Sequence, residues 1–98
     1  MLAIILTTAA LLTAIVLIVL NWSKIVSWFQ KHEELLEEDK DNIAVGVKQA
    51  MADGKVTYVQ GIFNKRTNKL GEATKYEAKE LDQETLKKHK GNDLIIVS

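Results

Sequence analysis

The chain has 98 residues, 13 Lys plus Arg against 13 Asp plus Glu, a net charge of zero and 47% hydrophobic residues. That balance excludes a polybasic nucleic-acid binder and a charge-rich disordered chain. The absence of cysteine removes disulfides, thiolate nucleophiles, iron–sulfur ligands and cysteine zinc sites.

The averages conceal a division. Residues 1–20 carry no charged side chain, so every charge falls in residues 21–98. Leu2 to Leu20 reads LAIILTTAALLTAIVLIVL. Wound as one helix at ~1.5 Å per residue, this run would measure about 28 Å, close to the roughly 30 Å hydrocarbon core of a bilayer. A cleaved signal peptide would need a basic start and a small-x-small cleavage site, and neither is present. The sequence therefore predicts a single transmembrane helix over residues 1–21. No basic side chain precedes it, whereas Lys24 and Lys31 follow. The positive-inside rule then places the N-terminus outside and the rest in the cytoplasm, in a plasma, inner or thylakoid-type membrane. Trp22, Lys24, Trp28 and Lys31 are the expected interfacial anchors. Ala3, Thr7, Ala10 and Ala14, spaced by four, three and four, form a small-residue stripe that would pack against an integral membrane partner.

From Trp22 the pattern becomes amphipathic. Trp22, Ile25, Val26, Phe29 and then Leu35 or Leu36 recur mostly at intervals of three and four, and no Gly or Pro interrupts. This predicts a juxtamembrane helix continuing out of the bilayer to about residue 37. Like charges at Glu33/Glu37 and Glu34/Glu38, and acids against the C-terminal end of the macrodipole, predict a stop near Glu38–Asp41. The acidic run has neither EF-hand spacing nor a second histidine after His32-Glu33-Glu34, and so reads as a solvated linker closing residues 22–41.

Residues 42–98 are the third segment. Ile43-Ala44-Val45-Gly46-Val47 alternates and reads as a strand. A helix is the rival, because Ile43, Val47, Ala50 and Met51 share a helical face that Asp41 could cap. Asp53-Gly54 is a hairpin signal. As a two-residue loop it would set Met51 opposite Val56, Val45 opposite Ile62 and Gly46 opposite Gly61. Val56–Phe63 reads as the second strand, Asn64–Lys69 as a polar turn and Leu70–Ala78 as a third strand. Asp82 caps a helix, with Leu81 stapling onto Leu86 and Gly91 in the C′ position. Leu94-Ile95-Ile96-Val97 is a final apolar strand. The predicted fold class is membrane-anchored α+β, with a small β-β-β-α-β domain at the end.

Chemistry-bearing groups are few. His32 and His89 have no motif partner and are expected to be solvated or capping. Lys65, Arg66 and Lys69 are a candidate anionic contact beside the plainer reading of a solvated turn. No metal, cofactor or catalytic step is expected, and nucleic acid is not an expected partner. Leu94, Ile95, Ile96 and Val97 do not alternate with polar residues. One pair should pack under the helix near Leu86, and the other should be covered by the juxtamembrane helix, a second copy or a protein partner. The functional expectation is a non-catalytic, single-span accessory or assembly subunit of a larger membrane complex, in contact with lipid. The alternative is a membrane-tethered module recruiting a cytoplasmic partner, and a lysis-type small membrane protein ranks below both.

Overall fold

The computed structural model, which describes residues 1–97, divides the apolar N-terminal run into a helix, a turn and a strand. Helix α1 covers Leu2–Ala9 and strand β1 covers Ala14–Leu20. Eight residues make about 12 Å of helix, and no helix among the described residues is long and apolar enough to cross a membrane. This overturns the transmembrane helix over residues 1–21, the single-pass location and the orientation drawn from Lys24 and Lys31. The membrane-anchored fold class gives way to α+β with a five-stranded mixed sheet. Composition within the run explains the division. Ile15, Val16, Ile18 and Val19 are β-branched and stiff at χ1, which suits a pleated strand, whereas the segment before Thr13 is richer in Ala and Leu.

Asn21 is extended, with φ −92° and ψ 146°, and α2 then runs over Trp22–Lys31. The predicted continuous helix from Leu20 to about residue 37 is broken at His32 (φ −114°, ψ 19°), and α3 occupies Glu33–Glu38. The His32 ring stacks on Trp28 at 3.9 Å, and its Nδ1–H donates to the Trp28 carbonyl at 2.8 Å. Helix ends at Glu38, inside the acidic run.

Strands β2 (Asn42–Ala50), β3 (Val56–Asn64) and β4 (Lys69–Leu81) form an antiparallel meander. The β2–β3 connection is one residue longer than the two-residue loop predicted. Met51 N–H donates to the Lys55 carbonyl at 2.9 Å, Gly54 N–H donates to the Met51 carbonyl at 3.0 Å, and Gly54 adopts φ +87°. This is a turn closed by a left-handed glycine. The register moves with it: Ala50 faces Val56, Val45 faces Gly61 and Gly46 faces Gln60. Gly46 lies beneath the Tyr58 ring, where a Cβ would collide with the phenol oxygen.

Helix α4 covers Gln83–His89 and strand β5 covers Leu94–Val97. Asp82 caps α4 through the Thr85 N–H at 3.0 Å, and Gly91 takes φ +82° at the far end. The Leu81–Leu86 staple does not form: Leu81 is buried and Leu86 is exposed. The sheet order is β1-β4-β3-β2-β5, with β1 parallel to β4 and β5 antiparallel to β2.

Two apolar layers follow from strand alternation. On one face Ile5 and Ala9 of α1 pack on Val45, Val47, Val59 and Phe63. On the other, Ile25 and Phe29 of α2 join Ala44, Tyr58, Ile62, Tyr76, Ala78 and Leu81. Leu94 of β5 is covered by the first layer and Val97 by the second, so the chain itself supplies cover that was expected in part from a partner. Ile96 remains 58% exposed.

Candidate interaction surface

An edge strand presents a row of unpaired backbone donors and acceptors, and proteins ordinarily blunt such edges with lysines, prolines, bulges or short length. β5 is one edge of this sheet and is only four residues long. β1 is the other, seven residues long, with the sequence AIVLIVL and none of those protections. Its register with β4 places Ile15 beside Tyr76 and Leu17 beside Ala78, on the α2 side of the sheet. Val16 lies beside Glu77, on the α1 side. Val16 is 74% exposed and Ile18 71% exposed, and Leu11, in the turn leading to the strand, is 89% exposed.

At the β5 side, an open cleft of ≈ 590 Å³ lies between α2, α4 and β5, lined by Trp22, Lys87, Lys88, Lys90, Ile95 and Glu84 among others. The Lys88 ammonium sits 5.8 Å from the Trp22 ring centroid. Its lysines stand at the surface and Glu84 offsets one of them, so the cleft is only weakly cationic.

The predicted site residues separate. Ala3 and Thr7 lie exposed on α1, Ala10 caps it and Ala14 opens β1, so the small-residue stripe is not one helical face. Trp22, Lys24, Trp28 and Lys31 do share α2. Trp22 and Trp28 pack against the second layer, and both lysines are exposed. Lys65, Arg66 and Lys69 flank the β3–β4 turn. Arg66 is engaged within the chain, by Asp39 at 2.8 Å and Asp41 at 3.3 Å. The Asp41 backbone N–H and the Arg66 guanidinium hold the Asp39 carboxyl below its usual range, and Asp39 in turn raises Arg66.

Sequence reasoning missed a buried polar seam between the sheet and the helices of the second layer. His89 is fully buried rather than solvated or capping. Its Nδ1–H donates to the Asn92 carbonyl at 2.9 Å, and its Nε2 accepts from the Tyr58 hydroxyl at 2.8 Å. A carbonyl can only accept, which fixes this tautomer. Nearby, the Tyr76 hydroxyl donates to Gln60 Oε1 at 2.7 Å, and Gln60 Nε2 donates to the Ile25 carbonyl at 2.9 Å. Burial raises both phenols and lowers the imidazole. The signal was available in outline: Thr85 and His89, four apart on α4, turn the same face inward. The seam ties the sheet to α2 and α4 through these hydrogen bonds. Among the described residues, no three His, Asp or Glu side chains converge for a metal ion.

No protein-family model, characterised protein or solved structure matches the chain.

Proposed function

We propose that the protein is a non-catalytic interaction module that joins an assembly by strand addition at β1. The observation that supports this is the uncharged edge of that strand, with Val16 and Ile18 standing 74% and 71% exposed. Strand addition draws affinity from main-chain hydrogen bonds and specificity from alternate side chains, and a regular apolar edge supplies both. Both histidines make contacts within the fold. His32 stacks on Trp28, and His89 holds Tyr58 against α4.

The test is site-specific photocrosslinking in the native cell. A benzophenone side chain in place of Val16 should crosslink to a polypeptide, while the same group in place of Lys65, in the β3–β4 turn, should not. Absence of any crosslinked polypeptide from position 16 would overturn the proposal.

A further inference from the structure

Taking the strand-addition reading as its basis, we infer that the strand added at β1 is β1 of a second copy, paired antiparallel about a two-fold axis through Leu17. Charge is the first argument. Residues 1–20 carry no charged side chain, so two copies of this edge meet without the like-charge repulsion that ordinarily keeps identical edges apart.

Register is the second. In an antiparallel pair, opposed residues point to the same face and share a hydrogen-bonding type, and both properties alternate along the strand. A strand pairing with itself can therefore oppose only positions an even number apart, so the axis must pass through a residue. Leu17 is the midpoint of Ala14–Leu20, and an axis there leaves no residue of the strand unpaired. That register sets Val16 opposite the partner's Ile18 and Ile18 opposite the partner's Val16. The two most exposed aliphatic side chains of the strand close into one β-branched cluster on the α1 side. On the other face the two Leu17 side chains meet, each beside Ile15 of its own strand.

Closure is the third. The remaining edge, β5, has four residues against the seven of β1. Pairing β1 with β5 of another copy would leave three residues of β1 bare and would be a head-to-tail contact, which two copies cannot satisfy symmetrically. The isologous pair closes as a dimer, joins two five-stranded sheets into one and leaves only the short β5 edges free.

The full chain, purified, should be a dimer by light scattering. Ile18→Lys should raise its dissociation constant by roughly 100-fold, since an unpaired ammonium is desolvated beside the partner's Val16. Ile18 is exposed, so the variant should keep the far-UV circular dichroism of the parent. Because the chain has no cysteine, single cysteines read the register directly. Val16→Cys chains mixed with Ile18→Cys chains should form a disulfide under mild oxidant. Val16→Cys chains alone should not, because diagonal partners stand about 7–8 Å apart, beyond disulfide reach. A monomeric parent would overturn self-pairing, as would a dimer indifferent to Ile18→Lys; Val16→Cys chains that crosslink alone as fast as the mixture would overturn the axis through Leu17. Either of the first two results, alongside a position-16 photocrosslink to a different polypeptide in cells, would leave strand addition standing and remove only the second copy as its partner.

Discussion

His89 shows how one side chain can organise a small core. With Nδ1–H committed to the Asn92 carbonyl and Nε2 accepting from Tyr58, the ring is complementary to its surroundings only when neutral. Burial lowers its pKa in the folded protein and outweighs the Asn92 hydrogen bond, which raises it; the Lys48 ammonium lowers it further, against a smaller opposing effect from Asp93. The linkage sign follows. Between the depressed folded pKa and the unfolded value near 6.5, the unfolded chain binds the extra proton, so stability falls as pH falls. Below the folded pKa both states are charged and the slope ends. The window thus opens near pH 6.5 and extends downward, with a slope of at most about 1.4 kcal/mol per pH unit. The carboxylates with lowered pKa, Asp39 and Asp82, titrate in a lower range, starting from unfolded values near 3.9. Thermal unfolding followed from pH 7 to pH 5 should show a falling midpoint. His89→Gln should be less stable at pH 7 and should flatten the dependence; an unchanged slope in that variant would remove His89 as its source.

Among the elements, legibility tracked how local the determining physics is. The four strands and the helix of residues 42–98 follow alternation, β-branching, apolar content and the Asp82 cap, which act within a few residues, and they stand close to where the sequence predicts them. The β2–β3 register differs by one residue because turn choice depends on whether Gly54 closes a two- or a three-residue loop, and Asp53-Gly54 suits both. The apolar run was the large error. Period-independent hydrophobicity suits a lipid-spanning helix as well as it suits a helix and a strand that each bury a face, and only the β-branched content of Ala14–Leu20 pointed to the second. A reading that winds residues 14–20 into a helix leaves the candidate surface invisible, since β1 is its edge. Asp82 joins the elements that were legible to those that were not. Besides capping α4, its carboxylate accepts from the Trp22 N–H at 3.1 Å, and its own N–H donates to the Leu20 carbonyl at 3.1 Å. Burial pushes its pKa up, but the hydrogen bonds from Thr85 and Trp22 outweigh that and leave it lowered. Asp82→Ala should cost about 1–2 kcal/mol, at the upper end for a cap because a second element loses its acceptor. The urea midpoint measures this, and a loss below about 0.5 kcal/mol, the low end of the cap range, would mean that the β1–α2 junction does not depend on the carboxylate.

For the molecule as a whole, the fold places the first twenty residues inside the architecture rather than beside it. α1 is the cover of one sheet face, and β1 extends the sheet and ends in Leu20, which is buried in the layer beneath α2. Without α1, the side chains of Val45, Val47, Val59 and Phe63 would face water. At this size a domain has little reserve, since small domains bury a smaller fraction of their surface and total stability is about 5–15 kcal/mol. Two substitutions on the same helix separate an N-terminal segment that is part of the core from one that is only attached to it. Ile5 has no exposed surface and packs among the valines of β2 and β3. Ile5→Asp there buries a carboxylate without a partner and removes an aliphatic side chain worth ~1.5–3 kcal/mol on its own. Ala3 is exposed in the first turn of α1, where an acid favours the helix dipole, so Ala3→Asp should be neutral within about 0.5 kcal/mol. Both changes add one negative charge to the same apolar run, and as parts of a membrane-spanning helix both would be severe. In this fold they diverge: Ile5→Asp should unfold the domain or cost more than about 4 kcal/mol, and Ala3→Asp should leave it intact. Urea denaturation followed by Trp22 and Trp28 fluorescence reads the difference, because both rings pack on the second layer and report its loss. Equal effects of the two substitutions would show that α1 does not cover the sheet.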